Sequence, residues 1–241
     1  MFNFEYMNKV DELLHKVDET NKDTIHELAV KIAENIKNDK MIHVFGTGHS
    51  HMAGIELFAR AGGLANINAM LDPDCLTNFG TQRSCALEKL PGLADIIYDQ
   101  YKINKGDMMI ITSNSGRNAV PVEMAMRAKK EGVYVVALTN LEQSKNSTSR
   151  HPSGKRLFEC VDCILDNCVP TGDGLMTIGG ALTGPGSTIV SAFLLDTIVC
   201  EALQILADEG VKPMPIFQSQ NVDGFDNDFI YKKYDGRVKH Y

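Results

Sequence analysis

Apolar positions in the first forty residues recur at helical spacing: Val10, Leu13, Leu14 and Val17, then Ile25, Leu28, Ala29 and Ile32. That pattern predicts a helix over residues 4–37 with one face turned to a core. Asn38 to Lys40 end it, and the period changes. Met41-Ile42-His43-Val44-Phe45 is a short apolar run that predicts a buried strand entering Gly46-Thr47-Gly48-His49-Ser50. A helix is expected over 51–61, stopped by Gly62-Gly63. Residues 65–71 predict a weaker strand and 92–101 a helix. Asp107-Met108-Met109-Ile110-Ile111-Thr112 is a second clear strand. It enters Ser113-Asn114-Ser115-Gly116-Arg117-Asn118 and a helix that runs to about Lys130, with Gly132 as the stop. Strands are expected at 133–138 and 161–165, and a long apolar helix at 187–207, ended by Glu209-Gly210.

Strands alternating with helices imply an α/β fold whose parallel sheet is covered on both faces. No repeat, low-complexity tract or linker divides the chain, so residues 1–241 are expected to form one domain: a leading helix at 4–37, a core at 40–207 and an irregular tail at 213–241. That tail, rich in Asp, Asn and Tyr, is expected to wrap a neighbour.

Composition narrows the function. The chain of 241 residues is 44% hydrophobic and 23% charged, as a soluble globular domain is. Its 24 basic and 31 acidic residues give a net charge of −7, which argues against a nucleic-acid partner. The first six residues show no secretion signal, and no apolar stretch is judged to approach the about 20 residues of a membrane span. Six cysteines without such a signal are expected to be free thiols in the cytoplasm.

The two strand-to-helix loops carry the candidate chemistry. Each places unpaired backbone N–H groups at a helix N-terminus beside serine hydroxyls, an arrangement that attracts anions. If their strands are first and third in a flavodoxin-like order, both loops flank the switch point where open α/β sheets bind ligands. No Gly-Lys-Ser/Thr is present, and a dinucleotide fingerprint would need glycine where His51 stands, so no nucleotide cofactor is expected.

Together, Gly46-Thr47-Gly48-His49-Ser50 and Ser113-Asn114-Ser115-Gly116-Arg117-Asn118 resemble the two signatures of the SIS (sugar isomerase) family. Gly184-Pro185-Gly186-Ser187-Thr188 is similar to the start of the last helix in its muramic-acid-6-phosphate etherase branch. The resemblance spans roughly 40–207. It implies a three-layer α/β/α sandwich, a homodimer or homotetramer, and a small-molecule phosphosugar held by the second loop. Carried over by position, Gly48, Ser50, Ser113, Asn114, Ser115, Gly116, Asn118, Ser187 and Thr188 are the expected ligand contacts. Asn118 stands where the family usually has a hydroxyl. Arg117 adds a cation suited to bidentate phosphate pairing.

The chain departs from the family where phosphoheptose isomerases and etherases carry a glutamate, about ten residues after the first-loop serine. Here that position is Arg60. Glu56 is the nearest carboxylate, either an i,i+4 partner of Arg60 or a base. Glu88 is the other candidate; it lies on an irregular segment able to fold over the sheet's carboxyl edge and is favoured, since Glu56 has a long reach within one subunit. Glu123 is expected to lie away from the reacting carbons. His49 is expected to face the crevice as a proton carrier, while His51 opens the helix.

No metal is expected: His49 and His51 lack a further ligand at a telling spacing, and Cys160, Cys163 and Cys168 lack a second pair. The basic loop Arg150-His151-Pro152-Ser153-Gly154-Lys155-Arg156 closes over the phosphate, reaches a neighbour's site or stays solvated. Asp196, on an apolar helix, anchors an interface or lines the pocket. The resulting functional expectation is a sugar-phosphate aldose–ketose isomerase. The alternatives are a phosphosugar ether lyase of the etherase type and a non-catalytic phosphosugar sensor.

Overall fold

The computed structural model describes residues 5–241; the start of the expected first helix at Phe4 lies outside the described residues. In chain order the elements are α1 (Glu5–Lys37), β1 (Ile42–Gly46), α2 (Met52–Leu57), β2 (Ile67–Met70), α3 (Thr81–Leu87), α4 (Leu93–Tyr98), β3 (Met108–Thr112) and α5 (Ala119–Lys130). Then come β4 (Tyr134–Thr139), α6 (Leu141–Lys145), β5 (Cys163–Asp166), β6 (Gly174–Ile178), β7 (Ala181–Pro185), α7 (Ser187–Asp208) and α8 (Asp228–Tyr234).

Five strands form a parallel sheet in the order β2-β1-β3-β4-β5, so β1 and β3 are neighbours at the centre, as in a flavodoxin-like sheet. Successive residues of a strand point to opposite faces, which is why these runs are apolar throughout rather than alternating. Ile42, Val44, Met108, Ile110, Val136 and Leu138 pack on one side with α1, α2 and α7. Phe45, Met109, Ile111, Val135 and Ala137 pack on the other with α4 and α5. The result is the expected three-layer sandwich.

Four expectations change. The helix expected over 51–61 is a 3-10 turn, Gly48–His51, followed by an α-helix that ends at Leu57. Phe58 leaves it in extended conformation, its ring stacked on Tyr241 with centroids 5.7 Å apart. Distant aromatic packing thus ends this helix well before the two glycines. The tail, expected to be irregular, forms α8 and covers its own sheet edge. Phe217, Ile230, Tyr234 and Val238 bury against Met41 and Ala65, Tyr241 Oη donates to the Ala65 carbonyl at 2.7 Å, and Arg237 pairs with Asp39.

The third change concerns α7. Its 22 residues, with a mean hydropathy of 1.9 in their most apolar window, are long and apolar enough for a membrane span. In the fold, Val190, Leu194, Leu195, Ile198, Val199, Ala202 and Leu206 are buried in the core shared with α1. The same contact absorbs Leu13 and Val17 of the α1 stripe, leaving Val10 and Leu14 half-buried. Finally, the sequence pattern missed the antiparallel hairpin β6–β7, although its Gly179-Gly180 turn, with both φ positive, is a hairpin signal. Its strands are short and largely exposed, so burial imposes no period on them.

Candidate functional site

Both loops leave the carboxyl edge of the central strands. β1 runs into the tight turn Gly48–His51, which only a glycine at 46 permits: a Cβ there would lie 2.4 Å from the Ser50 carbonyl oxygen. The turn exposes His49 and leaves Ser50 half-exposed, while His51 is buried with Nδ1 against the Gly48 carbonyl. His51 is therefore structural. β3 runs into Ser113-Asn114-Ser115-Gly116-Arg117-Asn118. Thr139 Oγ1 donates to the carbonyl of Ser113 at 2.7 Å, and Asn167 Nδ2 to Asn114 Oδ1 at 2.7 Å, pinning the loop to the next strand. Ser113 Oγ accepts from the Gly116 amide at 3.2 Å. The amides of Ser115, Arg117 and Asn118 bond to no backbone carbonyl among the described residues, leaving donors at the mouth of α5.

Between the loops lie two hollows. The first, of about 140 Å³, is lined by His49, Ser50, Glu56, Thr112, Asn114, Asp173, Ser187, Thr188 and Ser191, with Met52, Ala53 and Ala192 as its apolar part. The second, of about 210 Å³, is lined by Thr47, Ser50, Glu88, Ser113, Asn114, Ser115, Asn118, Gln143, Gly172 and Asp173. Ser50, Asn114 and Asp173 line both, so they are two ends of one cleft.

Glu88 folds over the sheet edge as expected. Its carboxylate accepts from Thr47 Oγ1 at 2.8 Å and from Asn118 Nδ2 at 2.8 Å, and its carbonyl accepts the Val120 amide at 3.1 Å. It thus bridges the first loop, the second loop and the start of α5. Asn118 is held from its other end as well, with Oδ1 accepting from Arg150 Nη1 at 3.0 Å. Its side chain holds Glu88 and also lines the second hollow.

One of the two readings of Glu56, the pairing with Arg60, is present in the structure. Glu56 pairs with Arg60 one turn later, and it also lines the first hollow beside His49. Arg60 has a second carboxylate within electrostatic range: burial pushes the Asp196 carboxyl up, and the Arg60 guanidinium opposes that shift. Asp196 lines neither hollow. Glu123 lines neither hollow, accepting from the Gly92 amide at 2.8 Å and from His151 at 3.2 Å.

Several expected contacts fall elsewhere. Gly48 and Gly116 line neither hollow; Gly116, at φ 56°, packs towards Ser144 and Leu157, where a Cβ would meet Ser144 Oγ at 2.7 Å. Arg117 lines neither hollow, and its Nε is buried without a hydrogen-bond partner. Ser187 does line the cleft, but its hydroxyl donates to Asp173 Oδ2 at 2.6 Å.

Asp173 is the residue that sequence reasoning missed. Its Oδ1 accepts the amides of Gly186 and Ser187 at 3.1 and 2.7 Å, so a carboxylate from the chain fills the anion position at the start of α7. The signal was the turn cluster Thr171-Gly172-Asp173-Gly174, with Asp173 itself at φ 66°. Among the described residues, no group of three or more His, Cys, Asp or Glu side chains is arranged to hold a metal ion. The six cysteines are unpaired.

A family model described as the SIS domain matches residues 5–140. A UPF0309 protein of Halalkalibacterium halodurans is 38% identical over 234 residues, covering 95% of this chain and 96% of its own. A UPF0309 protein of Oceanobacillus iheyensis is 40% identical over 244 residues, covering 98% of each. Among solved structures, the NanR protein of Vibrio vulnificus has a TM-score of 0.52 at 17% identity, over 85% of this chain and 63% of that one. Its likeness is one of fold. With more than half the chain inside the family model, and relatives of this identity along nearly its whole length, the protein belongs to the SIS domain family.

Proposed function

We propose that this cleft binds a phosphosugar and that the protein is a sugar-phosphate isomerase interconverting an aldose and a ketose. The observation that carries the reading is the second loop. It presents the half-exposed hydroxyl of Ser115 and loop amides without backbone partners at the N-terminus of α5, in a cleft that also contains carboxylates. Hydroxyls and amides at a helix start are suited to a phosphate. The Vibrio vulnificus NanR protein, which shares the fold, is complexed with ManNAc-6P.

The phosphate would sit at the Ser113–Asn118 end and the carbon chain would extend towards His49, Thr188 and Ser191. Moving a proton between adjacent carbons needs a base near them, with donors near the developing enediolate oxygen. Glu56 and Glu88 are the two carboxylates available for that step. Glu56 shares the carbon-chain end with His49, whereas Glu88 stands nearer the phosphate end. Asn114, reaching both ends, is placed to hold the ligand's middle.

A second reading has a specific observation behind it. Arg60 neutralises Glu56, and Glu88 is tied down by two donors, so a binding protein without turnover would look the same. Incubation with hexose, amino-sugar and heptose phosphates, followed by NMR, separates the two. New sugar signals support the isomerase; binding without conversion supports the sensor. Equal calorimetric affinity for glucosamine and its 6-phosphate would overturn the phosphosugar assignment itself.

A further inference from the structure

No residue of the basic loop at 150–156 lines either hollow, yet the loop is fastened at both ends. The Arg150 amide donates to the Arg117 carbonyl at 2.8 Å, and the Leu157 amide donates to the Gly116 carbonyl at 2.7 Å. Inside it, Ser149 Oγ donates to the Lys155 carbonyl at 2.6 Å and accepts the His151 amide at 3.0 Å. This frame holds a chain of three functional side chains, Ser153, His151 and Glu123.

His151 Nδ1 lies 2.7 Å from Ser153 Oγ and 3.2 Å from the Ser153 amide nitrogen. An amide can only donate, so Nδ1 carries a lone pair and the ring proton sits on Nε2. That proton points to Glu123 Oε1 at 3.2 Å. Glu123 is fixed in turn, its other oxygen accepting the Gly92 amide at 2.8 Å. The His151 and Glu123 side chains are shielded, only 11% and 18% exposed, whereas Ser153 is exposed. Nucleophile, base and orienting carboxylate thus stand in the relation that activates a hydroxyl. Oγ can lose its proton to Nδ1 while the carboxylate stabilises the imidazolium that forms. Beside Ser153, Gly154 has φ 73° and open space where a Cβ would stand, so that side of the turn is clear.

The surroundings select the electrophile. A carbonyl carbon would need free amides for its oxyanion. The amides of Gly154, Lys155 and Arg156 are already used, donating to the His151 carbonyl, Ser153 Oγ and Glu159 Oε2. Cations are what the turn does supply: Lys155 is exposed, and Arg150 gives its guanidinium to the neutral Asn118. Phosphoryl transfer depends mainly on positioning and on such charges. We infer that Ser153 is a covalent phosphorylation site that takes its phosphoryl group directly from an acyl phosphate. His151 is the general base, and Glu123 is the residue that positions it. Oγ forms the bond to phosphorus as its proton passes to Nδ1. The bond from phosphorus to the acyl oxygen breaks, the carboxylate leaves with the electron pair, and the imidazolium releases its proton to water. An acyl phosphate suits the site because its carboxylate departs without a proton, so no second acid is required. The phosphoserine left behind shares its turn with Lys155 and Arg150.

The test is incubation of the full chain with acetyl phosphate, followed by intact mass spectrometry and peptide mapping. One phosphoryl group on Ser153 is expected, and none in Ser153→Ala. His151→Gln should slow the uptake by a factor of about 10² or more, the size of general-base catalysis. Glu123→Gln should slow it too, and should move the rising limb of the pH–rate profile to lower pH, since a carboxylate beside an imidazole raises its pKa. In the native protein that limb should lie at about pH 6.5 or above, the imidazole range, a reading that requires no variant. Protein that takes up no phosphoryl group, phosphate on another residue, or a rate independent of pH across that range would overturn the inference. An acetyl group on Ser153 would overturn it as well, by making the loop an acyl acceptor.

Discussion

Asn118 and Glu88, thirty residues apart in the chain, are joined by a hydrogen bond of 2.8 Å from Asn118 Nδ2 to Glu88 Oε1. The amide does what a shorter hydroxyl at this position could not do as readily: it donates to the carboxylate while its oxygen accepts from Arg150. The second loop, the irregular segment after α3 and the basic loop are thereby locked into one arrangement. Asn118→Ala is expected to free Glu88 from one of its two donors and to detach Arg150, with a stability cost of about 1–3 kcal/mol from the unsatisfied partners. Chemical denaturation measures it. An unchanged midpoint and slope would show that the bridge contributes nothing.

Catalysis is tested by Glu56→Gln and Glu88→Gln, each keeping shape and polarity while removing a basic oxygen. If the protein turns over a sugar phosphate, one of the two is expected to lower kcat by a factor of about 10² or more with ligand affinity nearly unchanged, as for a general base. Normal turnover by both variants would move the base to His49.

Ser115 has a hydroxyl that bonds to no protein group among the described residues, whereas Ser113 supports the loop through the Gly116 amide. Ser115→Ala should therefore leave the melting temperature unchanged and weaken phosphosugar binding by about 1.5–3 kcal/mol, the worth of a hydrogen bond to a charged group. Ser113→Ala should weaken binding and lower stability together. Loss of stability in Ser115→Ala without loss of binding would contradict this division of roles.

At the other end of the sheet, Asp107 is buried on its loop, accepting from the amides of Met41 and Asn104 and bonded to His43 Nε2 at 3.2 Å. Burial pushes its carboxyl up, but the His43 contact and the two amides outweigh it, so it titrates below its ordinary value of 3.8. A depressed carboxylate contributes stability above its unfolded value and loses it as pH falls through the folded one. Native stability should thus decline as pH drops below about 4. Asp107→Ala, which strips a buried pair of one member, should cost about 3–5 kcal/mol at neutral pH and flatten that acid limb. Parallel pH curves for the two proteins in urea would refute it.

Self-association is the remaining expectation. The α1 stripe is largely consumed by α7, but Met7 on α1 and Ile178 and Leu182 on the hairpin stay exposed, at 64%, 60% and 52%. Tyr6 Oη joins the two elements through the Pro185 carbonyl at 2.8 Å. Light scattering at micromolar concentration is expected to show at least a dimer; a monomer would rule it out.

Local pattern alone determined the alternation of strands and helices, the parallel sheet and the two loops, because each buried strand must be apolar on both faces and each helix on one. The resemblance to the SIS signatures, not the pattern, singled out Glu56, Glu88, His49 and the loop serines as candidates, since few residue types can serve an anion or move a proton. Tertiary structure decided the rest. Whether Glu56 faces the cleft or only Arg60 depends on where Phe58 leaves α2, and that is set by its stacking on Tyr241, far along the chain. Asp173 became visible only when a hairpin with little local pattern folded its carboxylate onto the start of α7. Arg117, chosen from sequence for its charge, lines neither hollow, because backbone direction at Gly116 is a matter of packing against Ser144 and Leu157. Residue type determines what a side chain can do; contacts between residues distant in sequence determine which of those things it does.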